Sequence, residues 1–115
     1  MAKVTLASDW LAGCAGCHMS ILDMDERLLD VFENVEWRAS PITDLKQPDA
    51  SGVKVGVLEG AVANSATEEV AKRMRARSAV LVAVVDCAVL GGVQMMRNPS
   101  CARGALECGC VEAET

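Results

Sequence analysis

Short apolar runs alternate with amphipathic stretches along this chain of 115 residues. The runs have the length and β-branched content of strands, and they cover residues 3–7, 35–39, 53–58 and 79–85. The run from Ala79 to Val85 is apolar almost throughout, which is typical of a central strand in a parallel sheet. The pattern therefore predicts strands at these places.

Two amphipathic stretches predict helices between the strands. From Met19 to Glu33, apolar side chains recur with helical spacing, and acidic side chains occupy the other face. The sequence Ser65-Ala66-Thr67-Glu68 matches a capping box, so a second helix is expected to begin there. The order β-α-β-β-α-β predicts an α/β fold, an open and mostly parallel sheet of about four strands with flanking helices. Residues 1–98 form one predicted domain, and residues 99–115 form an irregular or weakly helical tail.

Composition narrows the range of functions. The net charge is −5, and the lysines and arginines are scattered, so no nucleic-acid partner is expected. No apolar run reaches the roughly 18–20 residues of a membrane span. The segment from Met1 to Leu6 is too short and too polar for a signal peptide. Six cysteines without such a signal indicate a reducing, cytoplasmic compartment, where cysteines more often bind metal or do redox chemistry than form structural disulfides.

The cysteines follow predicted strands. Cys14 and Cys17 lie between the first strand and the first helix, and Cys87 comes directly after the last strand. Because the loops at the carboxyl ends of parallel strands converge at one edge of a sheet, we expect these thiols to meet there. They could hold a metal ion, an iron–sulfur cluster or a redox disulfide. Glu59 ends the third strand at the same edge, either as a proton or hydrogen-bond group or as a solvated carboxylate. His18 is either a hydrogen-bond donor to a cluster sulfide or a polar residue that opens the helix, and the second interpretation is preferred.

The alternatives differ in the cysteines that they use. A structural zinc site needs a fourth ligand, which Cys108-Gly109-Cys110 could supply as a second pair, although its spacing is one residue shorter than usual. A redox dithiol of Cys14 and Cys17 would leave Cys87 without a role.

Three blocks of sequence carry a family resemblance. They are residues 9–26 (DWLAGCAGCHMSILDMDE), residues 58–62 (LEGAV) and residues 86–98 (DCAVLGGVQMMRN). Together they resemble the small subunit of NAD-linked [NiFe] hydrogenases, in collinear order over roughly residues 3–98.

The resemblance implies a flavodoxin-like fold that carries a [4Fe–4S] cluster, called proximal because it lies next to the nickel–iron centre of a separate large subunit. It implies that Cys14, Cys17 and Cys87 are cluster ligands and that Glu59 lies near the cluster. Electrons would pass from the nickel–iron subunit toward diaphorase subunits that carry flavin and reduce a nicotinamide. The chain would then act as one subunit of an oxidoreductase, without catalysis of its own.

One feature of that family is not found in this sequence. Its fourth cluster cysteine lies far downstream in a Gly-Cys-Pro loop, whereas this sequence ends at Thr115 without one. The sequence is therefore expected to be truncated, and the fourth ligand is either missing or supplied by Cys101, Cys108 or Cys110. The alternatives are a related iron–sulfur subunit of another hydrogenase or respiratory complex, and a small zinc-stabilised binding module.

Overall fold

The computed structural model of the chain describes residues 3–44 and 52–99. Those residues form a sheet whose strands are β1 (Val4–Trp10), β2 (Val35–Ala39), β3 (Val53–Glu59) and β4 (Ser78–Val84). The strand order is β2-β1-β3-β4, and every neighbouring pair is parallel. The predicted α/β fold with an open parallel sheet is confirmed. The prediction of a central strand at Ala79–Val85 is wrong, because β4 lies at an edge of the sheet formed by the described residues.

Helices connect and flank these strands. They are α1 (Gly16–Leu22), α2 (Arg27–Asn34), α3 (Ser65–Arg77) and α4 (Val85–Leu90), followed by a 3₁₀ helix (Gly92–Arg97). Within the two described ranges, no helix has the length and hydropathy needed to cross a membrane. From β1 the chain crosses to β2 at one edge of the sheet, and from β3 it crosses to β4 at the other edge. The boundary between β1 and β3 is therefore a topological switch point. Open α/β sheets bind ligands beyond the carboxyl ends of the strands at such a point.

The prediction of one helix from Met19 to Glu33 is wrong in one respect, because the structure has two helices there. α1 ends at Leu22 and α2 begins at Arg27, with a turn between them. Asp25 in this turn has a φ of 50°, in the left-handed region that an α-helix cannot include. Aspartate visits that region more readily than most residues, because its short side chain can bond locally. The apolar spacing therefore continues through a point at which the backbone changes direction.

The first strand is longer than the apolar run predicted. It continues to Trp10, because Ser8, Asp9 and Trp10 pair with Val57, Leu58 and Glu59 of β3. Polar residues can extend a strand when the backbone ladder and the neighbouring strand support them, and Ser8 donates a buried hydrogen bond of 2.8 Å to the Ser40 hydroxyl. The added residues bring the end of β1 level with the end of β3.

Helix α3 begins at the predicted residue but uses a different cap. The N-cap is Asn64, whose side chain accepts a hydrogen bond from the Thr67 N–H at 2.9 Å, while the Thr67 hydroxyl accepts one from the Asn64 N–H. The predicted pair of Ser65 and Glu68 is therefore wrong by one position. Both Asn64 and Ser65 are good cap residues, so composition alone does not choose between them.

The core lies mainly between the sheet and α3 and consists of small and aliphatic side chains. Buried Leu58 and Met74 are at its centre, and the partly buried Leu11, Ala71 and Leu81 pack against it. The predicted tail over residues 99–115 lies outside the described residues except for Pro99, and so do Cys101, Cys108 and Cys110.

Candidate metal centre

Three strands end level with one another at the candidate site. Trp10, Glu59 and Val84 are in register across β1, β3 and β4, each at the last position of its strand. The segment after β1 carries Cys14 and Cys17, and the segment after β4 carries Cys87. The three cysteines therefore follow strands that lie on either side of β3, with Glu59 between them.

The segment after β1 is tied to β3 by its backbone. Leu11 N–H donates to the Glu59 carbonyl at 2.8 Å, and Ala12 and Ala61 exchange hydrogen bonds of 3.0 and 2.9 Å. Gly60 has a φ of 83°, and a Cβ there would lie 2.9 Å from the Ala12 backbone, so the close approach of these two segments requires glycine. The Gln94 side chain, beyond α4, also donates to the Ala12 carbonyl. Hydrogen bonds thus connect the segment after β1, which carries Cys14 and Cys17, to the segment after β3 and to Gln94 beyond α4.

The turn between the first two cysteines starts a helix. Ala15 has a φ of 64° and precedes Gly16, the first residue of α1. The Gly16 N–H donates to the Cys14 sulfur at 3.4 Å. This contact places the Cys14 sulfur beside the first residue of α1.

The sequence predicted that Cys87 follows the last strand directly. In the structure Cys87 instead lies in α4. β4 ends at Val84 and α4 begins at Val85, which has a φ of 62°. A β-branched residue in the left-handed region is strained, so the turn from strand to helix has a conformational cost. Gly92 lies behind Cys87, and a Cβ at Gly92 would be 2.6 Å from the Cys87 sulfur. The second glycine of the Gly91-Gly92 pair therefore leaves the room that this thiol needs.

Glu59 and His18 form a buried pair that was not predicted from the sequence. Both residues are at most 2% exposed. Glu59 Oε2 accepts the His18 backbone N–H at 2.9 Å, and His18 Nδ1 lies 3.1 Å from the same oxygen, within ion-pair distance though not aligned for a hydrogen bond. The imidazole also makes an edge-to-face contact with Trp10, with ring centroids 5.7 Å apart. His18 is the third residue of α1 and is buried, so its interpretation as a polar residue that opens the helix is wrong.

Sequence offered only a partial signal for this pair. The two residues are 41 positions apart, and no local pattern links them. The signal was the position of Glu59, a carboxylate at the end of an apolar strand, because a buried carboxylate requires a partner.

The pKa of the Cys17 thiol is raised above its ordinary value. Partial burial is the largest cause, followed by the negative charge of Glu59 and a hydrogen bond between the thiol and that carboxylate. The charges of Cys14 and Cys87 raise the pKa of Cys17 further. Both other thiols are thus close enough to Cys17 for their charges to act on it.

The donor set suits a soft, thiophilic group. Cys14, Cys17 and Cys87 are all free thiols, the first exposed and the others half-buried. Among residues 3–44 and 52–99, no three His, Cys, Asp or Glu side chains converge closely enough to hold one metal ion. A cluster binds each thiolate through a different iron, so its ligands are spread more widely than those of a single ion. The residues present fit a cluster better than one ion.

Two cavities lie beside these cysteines. An open, mostly apolar groove of about 630 Å³ is lined by Cys14 and Cys17, by Ile21 of α1, by Met24 of the turn after it, and by Val84 and Val85 where β4 meets α4. Cys87 lines a separate cavity of about 350 Å³ on the side of Leu58 and Leu81. The assignment of all three thiols to one cluster stays a prediction.

Fold and site together define a class, namely α/β domains that present thiolates at the switch point of a parallel sheet. Residues 14–113 match the family described as "NADH ubiquinone oxidoreductase, 20 Kd subunit". The chain belongs to this family.

The named relatives are hydrogenase subunits. The chain is 37% identical over 97 residues to a subunit of the F420-non-reducing hydrogenase of Methanothermobacter marburgensis, covering 84% of this chain and 32% of that protein. It is 41% identical over 97 residues to the delta subunit of the NAD-reducing hydrogenase HoxS of Cupriavidus necator, covering 84% of this chain and 46% of that protein. The chain thus spans less than half the length of these relatives. The predicted resemblance to hydrogenase small subunits is confirmed.

A solved structure has the same fold. The crystal structure of NAD⁺-reducing [NiFe]-hydrogenase in the H₂-reduced state contains a chain that matches with a TM-score of 0.85 and 36% identity. The match covers 99% of this chain and 64% of that one.

Proposed function

We propose that this chain is the electron-transfer subunit of a [NiFe] hydrogenase and holds the proximal [4Fe–4S] cluster through Cys14, Cys17 and Cys87. The observation that carries the proposal is the register of Trp10, Glu59 and Val84 at the ends of three strands, which brings the segments with Cys14, Cys17 and Cys87 to one edge of the sheet. Family membership supports it, because one relative, from Archaeoglobus profundus, is an iron–sulfur subunit of an F420-non-reducing hydrogenase. Within this sequence, the candidates for the fourth ligand are Cys101, Cys108 and Cys110.

Bound there, the cluster supplies one-electron transfer. The chain's own residues bind and orient it. The Gly16 N–H donates to the Cys14 sulfur, and Gly92 leaves space for the Cys87 sulfur. Glu59 holds the start of α1 through the His18 N–H, which fixes the position of Cys17. The neighbouring groove presents apolar side chains beside Cys14 and Cys17.

The partners in this proposal are a nickel–iron large subunit and diaphorase subunits that carry flavin. The relative from the NAD-reducing hydrogenase of Cupriavidus necator and the matched [NiFe]-hydrogenase structure support them. A second candidate is the corresponding subunit of an F420-non-reducing hydrogenase, supported by the relative from Methanothermobacter marburgensis. The two candidates share the cluster and differ in the electron acceptor.

Anaerobic reconstitution with iron and sulfide tests the cluster. We expect the wild-type chain to take up both iron and acid-labile sulfide, with broad visible absorbance. Cys14→Ser, Cys17→Ser and Cys87→Ser should each abolish retention, because each removes one thiolate. Glu69→Ser is the control, since Glu69 is exposed on α3 and does not line the groove beside Cys14 and Cys17. Unchanged absorbance in all three cysteine variants would refute the assignment.

The same assay examines the remaining cysteines. Cys101→Ser, Cys108→Ser and Cys110→Ser should each leave the iron content unchanged if the fourth ligand is missing. Loss of iron in one of them identifies that residue as the fourth ligand. Stoichiometric zinc without sulfide in the purified chain would instead support the zinc-stabilised module.

A further inference from the structure

The buried His18–Glu59 pair has no role in cluster ligation as proposed above. Its position is unusual, because Glu59 accepts the backbone N–H of His18, the residue that follows the proposed ligand Cys17. Glu59 Oε1 and both ring nitrogens of His18 are buried without a hydrogen-bond partner among the described residues. Buried polar atoms of this kind have a free-energy cost, so a purely structural carboxylate at this place would be better replaced by a neutral side chain.

Charge explains why the imidazole is there. A carboxylate beside a thiolate and an anionic cluster repels both, and the repulsion is large where water is excluded. The backbone N–H of His18 donates to Glu59 Oε2 at 2.9 Å. The ring of the same residue faces the same oxygen, with Nδ1 3.1 Å away, within ion-pair distance. His18 is therefore the residue placed to offset the charge of this carboxylate.

The ring is held in that place from its other side. Trp10 meets the imidazole edge to face, with an interplanar angle of 82°. Trp10 and Glu59 are paired in register across β1 and β3. The strand register thus brings the aromatic support and the carboxylate to the same point, and His18 is held between them.

We propose that His18 is a positioning residue that offsets the charge of Glu59 beside Cys17, and that this pair sets the reduction potential of the bound cluster. The inference rests on the proposed function, because it needs a cluster at Cys17. Net charge and hydrogen bonding near the sulfurs are among the factors that set the potentials of iron–sulfur clusters.

A double-mutant cycle on the reconstituted full chain tests the pair by redox titration. His18→Leu should lower the midpoint potential, since an uncompensated carboxylate disfavours the added electron. Glu59→Gln should raise it, and it keeps an oxygen that accepts the His18 N–H. In the Glu59→Gln background, His18→Leu should produce little or no shift. His18→Asn should retain most of the wild-type potential, because its amide nitrogen can take the place of Nδ1.

An equal shift of the midpoint potential from His18→Leu in the wild-type and Glu59→Gln backgrounds would refute the proposed coupling between His18 and Glu59. The absence of a shift in both backgrounds would refute it as well. A purely structural role predicts such a result together with a lower thermal midpoint, which circular dichroism measures on the same samples. If His18→Leu does not fold, the potentials of Glu59→Gln and His18→Asn still test the inference. An unchanged potential in Glu59→Gln overturns the inference, and a raised potential in that variant with a near wild-type value in His18→Asn supports it.

The metal-free chain provides a readout that is independent of the cluster. In a Cys14→Ser background, the rate of alkylation of Cys17 by iodoacetamide is followed by peptide mapping at fixed pH. His18→Leu should slow alkylation, because the uncompensated carboxylate disfavours the thiolate, and Glu59→Gln should accelerate it. A wild-type chain without iron and sulfide refutes the proposed function, and the alkylation cycle then decides on the pair alone. A normal cluster with no coupling between the two positions refutes only the pair.

Discussion

At the scale of single residues, Cys17 shows how a buried carboxylate changes a neighbouring thiol. The pKa of Cys17 is raised from an ordinary 9.0 by partial burial first and by Glu59 next. The folded chain therefore holds this proton over a range where the unfolded chain releases it. The resulting stability is present below the ordinary pKa and is lost as the pH rises through the higher folded value.

We expect the free energy of unfolding of the metal-free chain to fall as the pH rises above about 9. Urea unfolding over a pH series measures the fall. Subtracting the same series for Cys17→Ser removes the contributions of other groups. The difference should shrink in the Glu59→Gln background, because two of the causes that raise the pKa come from that carboxylate. A difference that does not vary with pH would contradict this explanation.

Gly92 is a second position at which one residue has a large effect. It has a φ of 57°, and an added Cβ would lie 2.6 Å from the Cys87 sulfur. Gly92→Ala should cost about 1–2 kcal/mol of unfolding free energy from the left-handed backbone alone. Displacement of the thiol should add to this cost and weaken cluster retention in the reconstituted chain.

The control for Gly92→Ala is the same change in a Cys87→Ala background. There the sulfur is gone, and the backbone cost should remain together with the contacts of the added Cβ with Gln94 Oε1 at 3.0 Å and the Cys87 Cα at 3.1 Å. Equal losses of stability in the two backgrounds would show that the contact with sulfur contributes nothing.

At the scale of elements, the sequence predicted well which segments are strands and which are helices. It predicted less well where a strand ends and where the backbone turns within a helical segment. The apolar runs sufficed to locate β2, β3 and β4 along the chain, but they did not give the place of β4 in the sheet, which is at an edge. They did not give the extension of β1 through Asp9, which depends on pairing with Leu58. They did not give the break at Asp25, because apolar spacing reports the buried face and not the backbone torsions.

The cap of α3 is a test at this scale. Asn64→Ala should lower the free energy of unfolding by about 1 kcal/mol, since it removes the acceptor for the Thr67 N–H. Ser65→Ala is the matched control and should have little effect, because Ser65 is the first helical residue and is exposed. Thermal or urea unfolding measures both. A larger loss for Ser65→Ala would restore the cap that the sequence predicted.

At the scale of the whole molecule, topology explains which parts of the site were predictable. Strand order at a switch point brings the segments after β1 and β4 to one edge, so the positions of Cys14, Cys17 and Cys87 in the sequence already indicated a shared edge. The contact between His18 and Glu59 depends on how far α1 turns back over the end of β3. Such a distance follows from packing, and no pattern within either segment contains it.

The open side of β4 has the last testable consequence. β4 is an edge strand of the sheet formed by residues 3–44 and 52–99, and its sequence SAVLVAV has neither charge nor proline. Val80 and Val82 on it are 57% and 40% exposed. An uncharged, apolar edge strand is a template for pairing with other chains, and native edges are usually protected by charge or proline. The chain alone should therefore self-associate as its concentration rises, and Val82→Lys should suppress this in sedimentation velocity experiments. Val4→Lys is the matched control, since Val4 is 41% exposed but lies on β1, between β2 and β3. Equal suppression by both variants would mean that added charge, and not the edge of β4, governs the association.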